Sequence, residues 1–255
     1  MKRILRLYYA PSIVGCLLLF SLFLPKNEIQ LENAFLSASW NAPLGTTPLG
    51  ESILTQVLVG AGQTLTLSFA ALSVCLTFSL TIGGILFQLP RPLQKAYTFF
   101  IDAWLSIPSI FIALSIGYFL PQSFFSVFVA LVLSEFAALQ KFFVQRLQET
   151  QSSDFLTAAR VMGASKAHLA AKHILPRLVR DALYLFIITL PSIVLSLASL
   201  EFLGVQTGSS TLSLGMQIAL YKDYIFLYPT LSLAPVLCIL FILFLLNETA
   251  KVSRA

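Results

Sequence analysis

The stretch DFLTAARVMGASKAHLAAKHILPRLVR, residues 154–180, is basic and rich in small side chains, with one central glycine and one late proline. It interrupts a 255-residue chain that is otherwise mostly apolar: 57% of residues are hydrophobic, 11% are charged, and the mean hydropathy is +0.86. Soluble domains carry roughly 25% charged residues, so this composition belongs in a bilayer. Within the stretch, Phe155, Ala158, Ala159 and Met162 recur at i, i+3, i+4 and i+7, one face of a helix. Ser153 or Asp154 is placed to cap its start, and Gly163 stands where a helix ends in the left-handed conformation. Ser165 is placed to cap a second helix, with a stripe of Ala167, Ala170, Ala171 and Ile174 and with Pro176 near its end. A helical face of Ala, Thr and Gly lets another backbone approach closely and suits docking into a partner's groove.

Outward from this stretch, no charge occurs between Glu51 and Arg91, Asp102 and Glu135, Asp181 and Glu201, or Asp223 and Glu248. A bilayer crossing needs about 20 apolar residues, and each gap holds one. The expected spans are residues 9–24, 64–89, 97–120, 124–143, 182–203 and 225–246. The expected fold is therefore an all-α integral membrane protein with six transmembrane helices, forming a single domain over residues 1–255. Its N-terminal anchor is about residues 9–24, and its core about 63–247. The first span follows Lys2, Arg3 and Arg6, as in a signal peptide, but no small-x-small cleavage site follows Leu24, which favours a retained anchor.

Lys and Arg accumulate on the cytoplasmic side. With the N-terminus inside, the outer loops hold only Lys26 and Lys222, so both termini are expected in the cytoplasm and the 154–180 stretch lies there between spans four and five. The net charge of +5 is then explained by topology and membrane lipid, with no reason to invoke nucleic acid. Cys16, Cys75 and Cys238 fall in spans and read as small apolar residues.

Other candidates carry weaker signals. His168 and His173 are five apart, not the i, i+4 that presents two metal ligands on one helical face, so no metal site is expected. Asp102 and Glu135 read as lying near the inner ends of their spans, and Glu201 near the outer end of its own. Charges within spans usually face a cavity or a partner, so these three are the candidate substrate-path residues, with simple hydration as the alternative. Pro108 and Pro191 are expected to kink their helices. Phe99, Phe100, Phe111 and Phe119 read as packing against lipid or a partner. The signatures HExxH, GxSxG and GxxxxGK[ST] are all absent, so no catalytic residue is assigned and the chain is not expected to hydrolyse ATP.

Ala158, Ala159 and Arg160, then Gly163, Ala164 and Ser165, then His173, Ile174, Leu175 and Pro176 resemble the AARxxGAS and RHILP pattern of binding-protein-dependent ABC transporter permeases, in the dipeptide, oligopeptide and nickel branch. The resemblance covers nearly the whole chain. LGTTPLGES at residues 44–52 is similar to that branch's LGTDxLGRD, DAWLSIPS at 102–109 to its Asp-and-Pro entry to the third span, and LEFLGVQ at 200–206 to its LSFLGLG. There are departures. Thr157 stands where the wider superfamily often has Glu, Glu51 and Ser52 where the branch has Arg and Asp, and Glu201 where it has Ser. The branch often carries an acid one helical turn earlier, where this chain has Leu197.

The resemblance implies a permease subunit of an ATP-driven importer for di- or oligopeptides, nickel or a metal chelate. It implies a partner permease, making a heterodimer, two cytoplasmic ATPase subunits and an extracytoplasmic substrate-binding protein in a bacterial inner membrane. ATP and Mg would be bound by the ATPase subunits, with no cofactor on this chain. Thr157, Ala158, Ala159, Arg160, Gly163, Ala164, Ser165, His173, Leu175 and Pro176 would form the loop that couples the ATPases to the path. The alternative is a self-sufficient secondary transporter or channel, which would usually show repeated halves and midplane ionisable or broken segments.

Overall fold

Residues 52–90 carry no charge, and most of them fold as one helix, α1, Ile53–Gln88, 36 residues long and about 54 Å from end to end. The computed structural model describes residues 15, 29–40, 42–152, 161–163, 165–208 and 212–253. Beyond α1 come α2 (Arg91–Leu105), α3 (Ser109–Phe119), α4 (Phe124–Gln151), α5 (Leu175–Phe202), α6 (Leu214–Tyr221) and α7 (Pro229–Ser253). Apart from an isolated bridge between Thr46 and Ser52, the described residues are helical or irregular. Lipid offers no partner for a backbone amide, so an apolar chain satisfies its own amides as helix. The mast of the fold is α1, which packs on α4, α5, α6 and α7 and buries Ala61, Leu65, Ala71 and Leu72 among them.

Among the described residues, four helices are long and apolar enough to cross a membrane, or five if one bent pair counts as a single span. That pair stands where the third span was expected, residues 97–120, and its break at Pro108 is sharper than the kink expected there. There α2 and α3 meet at 81°, far more than a kink, and at 15 and 11 residues neither is long enough to cross alone. The cause is local. Pro108 has no N–H with which to continue the ladder and disfavours helical backbone at Ile107, while the Ser106 hydroxyl donates to the Ala103 carbonyl at 2.6 Å and closes the end of α2. The first expected span, residues 9–24, lies outside the described residues apart from Gly15.

The loops opposite the basic segments are more built than expected. The first ends at Ser52, not Gln63, because nothing in residues 53–63 breaks a helix. Its two Pro-Leu-Gly runs, 43–45 and 48–50, turn at their glycines, with φ of +85° at Gly45 and +78° at Gly50. Thr46 ties it together, its hydroxyl donating to the Asn33 carbonyl at 2.5 Å and accepting from the Leu36 amide at 2.8 Å. Phe35 then stacks on Tyr228, at the entry to α7, with ring centroids 4.5 Å apart.

The second loop contains α6, which sequence reading missed because eight residues are too few for periodicity to stand out. It is held by tertiary bonds. The Leu214 amide donates to Thr64 Oγ1 at 3.1 Å and the Gln217 amide group to the Gln56 carbonyl at 2.8 Å. Backbone contact is close on both sides of it. A Cβ at Gly60 would collide with Gln217 and the Leu212 carbonyl, and one at Gly215 with the backbone of Ala198.

The same substitution should therefore have opposite effects at two α1 glycines. Gly60→Ala should lower the thermal midpoint of the detergent-solubilised protein, costing roughly 1–3 kcal/mol through overpacking. Gly84→Ala, whose Cβ would meet nothing within 4 Å, should raise it, adding about 0.5–1 kcal/mol of stability. Shifts of the same sign would contradict the close approach of α6.

Candidate functional site

Helices α1, α4 and α7 finish, and α5 begins, at one end of the bundle, and Arg91, Lys95, Arg146, Lys172, Arg177, Arg180 and Lys251 gather there. The small-residue segment lies at this basic end. Of its singled-out residues, Thr157, Ala158, Ala159, Arg160 and Ala164 lie outside the described residues. Gly163 has φ +89°, and among the described residues nothing lies within 4 Å of where its Cβ would be. The turn therefore demands glycine through its backbone conformation and not through crowding. Two residues on, Ser165 Oγ accepts the His168 amide at 3.2 Å, an N-cap bond to the third helical position.

The second short helix does not end near Pro176. One turn over Lys166–Leu169 passes into a π-helical turn over Ala170–Ile174 and straight into α5. The Leu175 amide reaches back five residues to the Ala170 carbonyl. Proline has no amide to give and its ring crowds the carbonyl four residues back; widening the preceding turn by one residue lets the helix run through. His173 falls in that wide turn, and Leu175 and Pro176 open α5. The consequence is mechanical: from Lys166 to Phe202 the chain is one helical run about 55 Å long, joining the glycine turn to the far end of the bundle.

The three acids singled out from sequence do not converge. Asp102 pairs with Lys141 at 2.5 Å and ties α2 to α4; both side chains are partly exposed, so the pair contributes little stability. Glu135 is not near the inner end of its span. It lies eleven residues into the 28-residue α4, about 17 Å from the helix start and so near mid-membrane, where it accepts a 2.9 Å hydrogen bond from Ser196 of α5.

Glu201 is not at a wet helix end either. It is 1% exposed, with Ser213 as the polar side chain beside it and Gly215 pressed against its carboxylate. Neither of its oxygens has a hydrogen bond among the described residues. The LEFLGVQ stretch explains this enclosure. Gly204, at φ +101°, ends α5 as the Gly204 amide donates to the Glu201 carbonyl at 3.0 Å and the Val205 amide to the Leu200 carbonyl at 3.3 Å, a Schellman closure. Val205 is thereby buried and Tyr118 of α3 reaches the Leu203 carbonyl at 2.7 Å.

Outside the spans, Glu51 accepts from the Gln56 amide at 2.8 Å. Partial burial holds its carboxyl above the ordinary value, and the Gln56 bond pulls it back in part. Gln56, Thr64 and Gln217, which fasten α6, were not singled out from sequence. Isolated polar residues in an apolar helix give no periodic signal.

A family model described as binding-protein-dependent transport system inner membrane component matches residues 75–252, from the middle of α1 to the end of α7 and across the Gly163 turn. The chain belongs to this family. It is a multi-pass membrane protein and a permease component of such a transport system. It is 25% identical over 225 residues to the metal-staphylopine import system permease protein of Staphylococcus aureus strain Mu50, covering 88% of this chain and 78% of that one. To the dipeptide transport system permease protein of Alkalihalophilus pseudofirmus it is 24% identical over 211 residues, 83% of this chain and 67% of that one. To the di/tripeptide transport system permease protein of Pseudomonas aeruginosa it is 24% identical over 182 residues, 71% and 60%. Membership implies ATPase and substrate-binding partners.

Replacing Glu201 in this permease separates volume from charge. Glu201→Gln keeps the shape beside Gly215 and should shift stability by no more than about 1 kcal/mol. Glu201→Lys forces a longer cation against the Ala198 and Gly215 backbone and should cost roughly 3 kcal/mol or more. Thermal unfolding in detergent reads both, and a lysine variant as stable as the glutamine one would mean that the site is open.

Proposed function

We propose that this permease forms one half of the translocation path of an ATP-driven importer in a bacterial cytoplasmic membrane. Di- or oligopeptides are the first choice of cargo, and nickel or a metal chelate the next. The observation that carries the reading is the family match over residues 75–252, and relatives named for dipeptide and metal-staphylopine import point to the cargo classes. The basic end is taken as cytoplasmic, with both termini there, because Lys and Arg gather on that side. The chain acts as a single transmembrane domain, with residues 9–24 as an anchor beside the core.

In this reading a second, different permease completes the path, two ATPase subunits dock on the basic end and a binding protein delivers cargo to the opposite end. ATP and Mg belong to the ATPases. Thr157, Ala158, Ala159, Arg160, Gly163, Ala164, Ser165, His173, Leu175 and Pro176 form the coupling element. Closure of the ATPase pair on ATP pushes the segment before Gly163. The continuous helix from Lys166 to Phe202 carries that displacement through the membrane, since a helix without a break transmits a tilt along its full length. Glu135, held mid-membrane by Ser196, is the acid best placed to meet a substrate. Asp102 serves as a tie within the subunit, and Glu201 is enclosed against Gly215.

Affinity purification of the wild type from gently solubilised membranes should bring down an ATPase with a phosphate-binding loop and a second permease, and replacing both Ala159 and Gly163 with Asp should lose the ATPase alone. Full retention of the ATPase by that variant would reduce the segment to a surface hairpin. In transport assays Gly163→Val should abolish ATP-driven uptake, because a β-branched residue is strained at φ +89° by on the order of 1–3 kcal/mol, whereas Gly163→Asn, which tolerates that conformation, should retain most of it.

A further inference from the structure

The basic end carries a second feature, which adjoins the coupling segment and shares His173, Leu175 and Pro176 with it, but which does not rest on the transport reading. Lys172, His173, Pro176, Arg177, Arg180 and Asp181 line an open cavity of about 560 Å³ at the start of α5. Among the described residues, no carboxylate comes within 4 Å of Lys172, Arg177 or Arg180, and the Asp181 carboxylate is turned to Arg146 of α4 at 3.6 Å. Three exposed cations thus surround the cavity while its acid is engaged elsewhere.

Depth identifies what meets them. The uncharged run of α5 covers residues 182–200, the length of one hydrocarbon core. Counting back along the helix from residue 182, Arg180 and Arg177 lie about 3 and 8 Å beyond that core and Lys172 about 15 Å, which spans the phospholipid headgroup layer and its outer edge. Next to the cations runs a second stripe, Leu175, Val179 and Leu183, all exposed and spaced four apart, so that they stack on one side of the helix. A cationic cradle at headgroup depth beside an aliphatic stripe that runs from that layer down to Leu183, at the edge of the hydrocarbon core, matches the two chemistries of one lipid molecule. Arginine suits phosphate because its planar fork donates two parallel hydrogen bonds.

We infer that Lys172, Arg177 and Arg180 form a binding site for the phosphate of an anionic phospholipid in the leaflet at the basic end, with Leu175, Val179 and Leu183 against its acyl chain. The site sits where the π turn joins α5, so an occupied site braces the helix at the point where it leaves the membrane.

The test uses the full chain, purified from membranes with its bound subunits, stripped of lipid and incubated with phosphatidylglycerol or with phosphatidylcholine of the same acyl chains; native mass spectrometry counts the lipid retained. Wild type should keep phosphatidylglycerol and release phosphatidylcholine. Arg177→Gln with Arg180→Gln should reduce retained phosphatidylglycerol by roughly tenfold or more, at the strength usual for basic residues at a membrane surface. Arg91→Gln with Lys95→Gln, which removes as many charges from the same end, should leave it unchanged.

Equal losses in the two variants, or retention that ignores the headgroup, would overturn the site. Loss of an ATPase subunit from the Arg177/Arg180 variant with phosphatidylglycerol retained would also overturn it, and would make the patch a protein joint. Should that variant not insert, retention by the wild type at low and high salt decides: release at high salt supports a charge-assembled site, and indifference to salt removes it.

Discussion

Every amide in the membrane-embedded part of this permease needs a partner within the protein, because lipid supplies none, and the points where the chain leaves regular helix show how that demand is met. At residues 106–108 the hydroxyl of Ser106 bonds the Ala103 carbonyl as Pro108 ends the ladder. At residues 170–174 the turn widens so that Leu175 reaches Ala170 and Pro176 can follow. At Gly204 the last carbonyls of α5 are taken by the amides of Gly204 and Val205. The start of α6, which no neighbouring turn could satisfy, is capped by the hydroxyl of Thr64 on another helix.

These breaks divide the molecule into parts with different work. The far end is a cap: Thr46 knits the residue 29–52 loop together, and Gln56, Thr64 and Gln217 fasten the loop and α6 to the top of α1. At the basic end the helix that begins at Lys166 runs without interruption to the close at Gly204. The middle holds Glu135, bonded to Ser196, where a carboxylate needs a reason to be. An exposed aromatic face on α2 and α3, with Phe99, Phe100, Phe111 and Phe119 all outward, gives the bent pair a surface for lipid or a second permease.

Much of this was legible in residue order. Charge-free runs located α1, α4, α5 and α7 because bilayer thickness sets a length that few other constraints impose. Gly163 could be read as a turn because glycine adopts its φ far more cheaply than other residues, and the motif around it carried the family, which the match over residues 75–252 supports. Reading failed where the deciding partner lies far off in sequence. Glu201 looked like a wet helix end because its neighbours in the chain say nothing of Gly215, fourteen residues on, folding over it. Pro176 looked like a terminator because a π turn leaves no periodic trace.

Residue order by itself thus determined that this protein is helical and spans a membrane, which end is basic, and where glycine must turn the chain, because each follows from length, charge or φ at single positions. Only the tertiary structure decided that residues 97–120 break at 81° instead of crossing straight, that α6 is buried on α1, and that the three acids serve three separate places. Those outcomes depend on contacts between helices, such as Thr64 with Leu214 and Ser196 with Glu135. Two residues separated by 150 or 61 positions meet only after the apolar faces around them have packed.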